Sequence, residues 1–147
     1  MISRKGQYAL RSALFLARKH GSRPVSVDEI AAAEGISRKF LETIMQELKK
    51  AGILRSQRGK HGGYTLAVSP KELTMGRILR TIEGSLAPTR CVIGNDSCDD
   101  CPANSACFVR LAMNEINEAV NRVLDHKTLD RLLAEGQTTE EALMFYI

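Results

Sequence analysis

Residues 29–54 read EIAAAEGISRKFLETIMQELKKAGIL, and the fold turns on this stretch. Two apolar-periodic runs flank the pair Gly35-Ile36, each preceded by a residue suited to capping a helix. Ser26 stands before the first run and can accept a backbone hydrogen bond, with Glu29 three residues on to close a capping box. That predicts a helix ending at Gly35. Ser37 caps the second run, where Phe40, Leu41, Ile44, Met45 and Leu48 share one side and Gly52 ends the helix. Helix, short turn, helix is a helix-turn-helix arrangement, and its second helix opens on Ser37, Arg38 and Lys39.

Downstream, ILRSQRGKHGGYTLAVSP predicts a β-hairpin, with ILRSQ outward, RGKHGG as the turn and YTLAV returning. Its tip is cationic, carrying Arg58, Lys60 and His61, with Tyr64 where the second strand begins. A hairpin of this kind is either a solvated loop or a wing reaching phosphates or a narrow minor groove. Helix-turn-helix, wing and charge all favour double-stranded DNA, with Ser37, Arg38, Lys39, Glu42, Arg58, Lys60, His61 and Tyr64 as candidate contacts. Glu42 is an acid among bases. It serves either to accept from a cytosine amino group in the major groove or as a surface partner for Arg38 or Gln46.

Upstream, Ser3 to Lys19 predicts an amphipathic helix ended by Gly21 and Pro24. Its basic start and LFLA segment superficially resemble a secretion signal, but Arg11 and Ser12 interrupt the apolar run and no small-residue cleavage site follows. The chain has 147 residues and 44% hydrophobic residues, enough for one core. No run of apolar residues is long enough for a transmembrane span, so a cytoplasmic location with reduced thiols is expected. Residues 1–90 hold 17 Lys and Arg against 7 Asp and Glu, and residues 91–147 hold 4 against 10. A basic first part beside an acidic second part implies two jobs, with a polyanion as partner of the first.

The second part contains all 4 cysteines of the chain, in CVIGNDSCDDCPANSAC from Cys91 through Cys98 and Cys101 to Cys107. Four thiolates suit a tetrahedral metal or an iron–sulfur cluster. Structural zinc usually sits between two Cys-x-x-Cys pairs, and here only Cys98 and Cys101 form one. The uneven gaps in a Gly/Asn/Asp loop therefore fit a cluster better than zinc, with a thiol–disulfide switch as the further alternative. A thiol enzyme is disfavoured, because the motif lacks a βαβ setting and no histidine stands near it in sequence. Leu73 to Gly84, capped by Thr74, predicts a helix before this loop. A long helix from Asn104 or Ser105 to Asp125 is predicted after it. There Val109, Met113, Ile116, Val120 and Val123 recur at spacings of four and three, a seam able to pair with a second copy across a twofold axis. A short last helix, TLDRLLAEG, follows, then a tail ending apolar.

Expected, then, is a mostly α fold with a small β-hairpin: a winged helix-turn-helix DNA-binding domain at 1–84, a cysteine-rich cluster-binding loop at 85–108, and a dimerisation helix and C-terminal tail at 104–147. Neither an enzyme activity nor a small-molecule substrate is expected.

The segments SRKGQYALRSALFLA, EIAAAEGISRKFLETIMQELKKAGIL and RGKHGGYTLA, with the cysteine loop and TLDRLL, resemble the Rrf2 family of transcription regulators over nearly the whole chain. The resemblance implies a homodimeric winged-helix regulator, acting as a repressor at a pseudo-palindromic operator. In many members a [2Fe-2S] or [4Fe-4S] cluster tunes DNA affinity, whereas some work without one. It matches three ligand cysteines to Cys91, Cys101 and Cys107, a base-reading glutamate to Glu42 and a wing arginine to Arg58. The fourth ligand in some members is an acid in the first helix of the partner subunit, and in others a histidine three residues after the last cysteine. Gln7 and Arg110 stand at those positions here. Cys98 is left as the candidate for an all-cysteine site.

Overall fold

The computed structural model describes residues 2–59, 61–93 and 107–144. In chain order the elements are α1 (Arg4–Arg18), α2 (Val27–Glu34), α3 (Arg38–Lys50), β1 (Leu54–Gln57), β2 (Gly63–Leu66), α4 (Met75–Glu83), α5 (Arg90–Ile93), α6 (Phe108–His126) and α7 (Leu129–Met144). The architecture is the expected mostly helical one with a two-stranded antiparallel hairpin, Leu54 opposite Leu66 and Gln57 opposite Gly63.

The core forms where α1, α3 and α4 meet. α1 brings a face of small residues, Gly6, Ala9, Ser12, Ala13 and Ala17 with Leu16, which lets neighbouring helices approach closely. Buried Ser12 satisfies its hydroxyl by donating to the Tyr8 carbonyl at 2.8 Å. Leu41, Ile44, Met45 and Leu48 of α3 and Ile78 and Leu79 of α4 fill the opposite side, each fully buried. Burial of such side chains contributes roughly 1.5–3 kcal/mol apiece.

Local signals set the ends of the helices. Ser26 Oγ accepts from Glu29 N at 3.1 Å and starts α2, while the Glu29 carboxylate turns outward to Arg23 instead of closing the capping box. Gly35 ends α2 in the left-handed region at φ 64°, where a side chain would be strained. Ser37 occupies the N-cap position of α3 but makes no side-chain cap bond. Ser3 caps α1 and also ties it to α4, donating from N and Oγ to Glu83 Oε1 at 2.9 and 2.6 Å.

The C-terminal third differs from expectation in two ways. The last helix runs past Gly136 to Met144, so the glycine is helical rather than terminal. A single glycine costs only about 1 kcal/mol against alanine, and the helix formers around it outweigh that. The start of α7 is also sewn onto the winged-helix core. Leu129 is fully buried, its N donates to Leu73 O at 2.9 Å, and Met75 N donates to Lys127 O at 2.8 Å. The described part of the long helix begins at Phe108, with Cys107 as its N-cap residue. Its expected start at Asn104 or Ser105 lies outside the described residues. No described helix is long and apolar enough to cross a membrane.

Candidate nucleic-acid interface and cysteine loop

α3 presents one buried and one outward face because its apolar residues recur at helical spacing. Ser37, Arg38 and Lys39 at its start are exposed, and Glu42 is half-exposed one turn in. Thr43 and Gln46 continue this outward surface. Arg38 is exposed yet held from two sides. Its Nε donates to Glu42 Oε1 at 3.0 Å, and its Nη1 lies 3.0 Å from Oδ1 of Asp28 on α2. The Glu42 hydrogen bond first, and the Asp28 charge second, raise the Arg38 pKa above its ordinary value. Sequence reading had named Arg38 as a partner for Glu42 but not Asp28, whose role depends on how α2 crosses α3.

The wing places Arg58 and His61 on an exposed turn. Lys60 lies outside the described residues. Gly62 and Gly63 both sit against backbone: a Cβ on Gly62 would meet Gln57 O at 2.3 Å, and one on Gly63 would meet Val25 O at 2.3 Å. Tyr64 does more for the scaffold than its sequence position implied. Its N donates to Val25 O at 2.8 Å, its carbonyl accepts from Val25 N at 3.0 Å, and its half-buried side chain packs on the core. The outward α3 face and the wing thus lie on elements joined through Ile53, Leu54 and Val25, all buried.

Cys91 lies in α5 and Cys107 occupies the N-cap position of α6, and these two helices pack against each other. Both sulfurs are free and half-buried. Thr89 Oγ1 is 3.2 Å from Cys91 Sγ, and Cys107 makes no side-chain cap bond, so its thiol is not committed to the helix end. Cys98 and Cys101 lie outside the described residues, and among the described residues no three or more His, Cys, Asp or Glu side chains converge on one point. The two described thiols bracket the loop and suit soft-metal ligation or disulfide chemistry equally. Gln7 is exposed on α1.

α6 buries Leu124 but leaves Val109, Ile116, Val120 and Val123 between 42% and 63% exposed, with Met113 half-buried. Phe108 and Leu111 extend this apolar surface. A groove of about 310 Å³ runs beside it between Ile2, Leu86, Pro88, Ile116 and Val120. The other side of α6 is fixed to α4 by Arg80, which donates from Nη1 to Asp125 Oδ1 at 2.6 Å and from Nη2 to Asn121 Oδ1 at 2.6 Å.

A family profile described as Rrf2, iron-dependent transcriptional regulator, matches residues 2–135. The chain belongs to the Rrf2 family. Among Rrf2 relatives, the transcriptional regulator CymR of Bacillus subtilis is 38% identical over 99% of each chain. The regulator NsrR of Geobacillus kaustophilus is 36% identical, over 93% of this chain and 92% of that one. The solved structure of B. subtilis CymR, described as that organism's global cysteine regulator, superposes with a TM-score of 0.78 over 92% of this chain and 97% of that one, at 35% identity. T. potens IscR does so with a TM-score of 0.76, over 92% and 88% of the two chains, at 31% identity. This Rrf2 chain is therefore a winged-helix, DNA-binding transcription regulator, and its named relatives are regulators rather than enzymes.

Proposed function

We propose that the chain is a homodimeric repressor whose affinity for a pseudo-palindromic operator is tuned at the Cys91–Cys107 loop by an iron–sulfur cluster. The observation that carries this is the crowding of all 4 cysteines of the chain into that loop, at positions where both usual non-cysteine fourth ligands are replaced, by Gln7 and Arg110. Cys91, Cys101 and Cys107 are the proposed ligands and Cys98 the fourth. When bound, such a cluster supplies a group that oxygen, nitric oxide or iron shortage removes. The chain's own contribution is mechanical. Ligation of the loop holds α5 against the start of α6, and the exposed α6 seam pairs two protomers. That pairing sets the distance between their α3 helices, which must match half-sites about one helical turn or a multiple apart. On each protomer Ser37 and Lys39 contact phosphate or base edges, Glu42 accepts from a base amino group, and Arg58, Lys60 and His61 of the wing hold the backbone.

The likeness to CymR over the whole chain favours a second reading. In it the four thiols act as a switch without metal.

Purification without oxygen, with visible absorption and iron, sulfide and zinc assayed on one sample, separates the two. Brown protein with iron and labile sulfide supports the cluster, and its loss in Cys98→Ala supports the fourth ligand. Stoichiometric zinc in colourless protein overturns both readings in favour of a structural site. Colourless, metal-free protein that resists reconstitution, yet changes DNA affinity on thiol oxidation, supports the switch.

A further inference from the structure

We propose that Asp28 governs the sequence selectivity of this regulator by holding Arg38 against Glu42, so that Arg38 is a positioning residue rather than a phosphate anchor; this rests on the base-reading role proposed for Glu42. An unrestrained guanidinium at the mouth of a recognition helix grips phosphate, or guanine O6 and N7, wherever it meets them. Here two of the fork's three nitrogens are engaged. Nε serves Glu42 Oε1 at 3.0 Å, and Nη1 is shared between Asp28 Oδ1 and Oδ2 at 3.0 and 3.1 Å.

The consequences for Glu42 are geometric and electrostatic. One of its oxygens is held, and among the described residues no donor reaches Oε2, which is left to accept from a base. Two carboxylates against one guanidinium leave this trio net negative, beside the exposed Lys39, on a surface meant for a polyanion. A duplex offering an amino donor relieves that repulsion and one without it does not, which converts charge into discrimination. Asp28 suits the task because it stands in the first turn of α2, beside the Ser26 cap. The three side chains come from two helices, so α2 contributes to reading through Arg38 and Glu42.

The test compares binding of the full-length protein to an operator selected from a random-sequence pool, to single-base variants of it and to a random duplex, across a salt series. Asp28→Asn removes the charge that holds the guanidinium and leaves only a weaker amide acceptor, while keeping the side chain's shape. The expected result is a rise of about three- to tenfold in affinity for random duplex near 50 mM salt, a salt slope steeper by about one, and an at least fivefold weaker preference at the base pair read by Glu42. Arg38→Gln is expected to weaken the same preference without steepening the slope. Glu29→Gln, in the same helical turn but paired with Arg23, is expected to change neither.

The proposal is overturned if Asp28→Asn keeps the wild-type preference and slope while Glu42→Ala relaxes that base. It is equally overturned if Arg38→Gln lowers affinity for every duplex alike with a shallower slope, which marks a phosphate contact, or if Glu29→Gln reproduces Asp28→Asn. If Glu42→Ala itself leaves every base preference intact, the base-reading role fails and the role of Asp28 falls with it.

Discussion

At Gly63 the chain has no room for a side chain. A Cβ there would stand 2.3 Å from the Val25 carbonyl oxygen and 2.9 Å from Ser26 N, both backbone atoms that cannot swing aside. Gly63→Ala is therefore expected to lower stability by about 2–4 kcal/mol, read by urea unfolding, because it breaks the bridge that seats the wing on the entry to α2. The glycine pair was legible as a turn, but its packing partner was not, since Val25 lies far back in the chain. Arg58, by contrast, is exposed and its removal leaves the scaffold alone. Arg58→Ala is expected to weaken operator and random DNA together and to reduce the salt slope by about one, in a binding titration at several salt concentrations. The Ser26 and Thr74 caps were readable because each acts within three residues, as Glu29 N to Ser26 Oγ and Arg77 N to Thr74 Oγ1 show. The link from Arg38 to Asp28 was not, because it joins two elements whose crossing no local pattern reveals.

Among the elements, those with strong periodicity were legible close to their ends: α1, α2, α3, both strands and α4. α5 went unseen, because its 4 residues are too few to carry a period. α7 runs longer than its sequence suggests, because the residues around Gly136 sustain the helix through a glycine that reads as a stop. α6 matters most for function. Ile116 is 46% exposed and borders the groove formed with Leu86 and Pro88. Ile116→Glu is expected to convert the proposed dimer to monomer in analytical ultracentrifugation while leaving the far-ultraviolet circular dichroism unchanged. Operator affinity should then fall at least tenfold, because one reading helix can no longer recruit its twin. An unchanged sedimentation coefficient would place the interface elsewhere.

Over the whole molecule, the tie between reader and loop runs through Arg80. Its hydrogen bond, together with its charge, holds the Asp125 carboxyl below its ordinary value. A carboxylate with a depressed folded pKa adds stability that is complete above the unfolded value, about 3.8, and that fades as pH falls below it through the folded value. Both side chains are partly solvated, so Arg80→Gln is expected to cost only about 0.5–1.5 kcal/mol near neutrality. Thermal melts of that variant and the parent should draw together as pH drops below the unfolded value. The charge asymmetry along the sequence implied two jobs, yet it could not show that the chain returns to its first job at the end. Leu129 is buried in the winged-helix core, so a fragment cut after Gly84 would lack one of its own interior side chains. α6 is thus pinned at its far end by Arg80 and Leu129 and meets the cysteine loop at its near end, 19 residues away. It behaves as a lever of about 28 Å with its fulcrum inside the reading head. α6 packs on α4 and α4 on α3, so a displacement at Cys107 would reach the reading helix through two helix contacts.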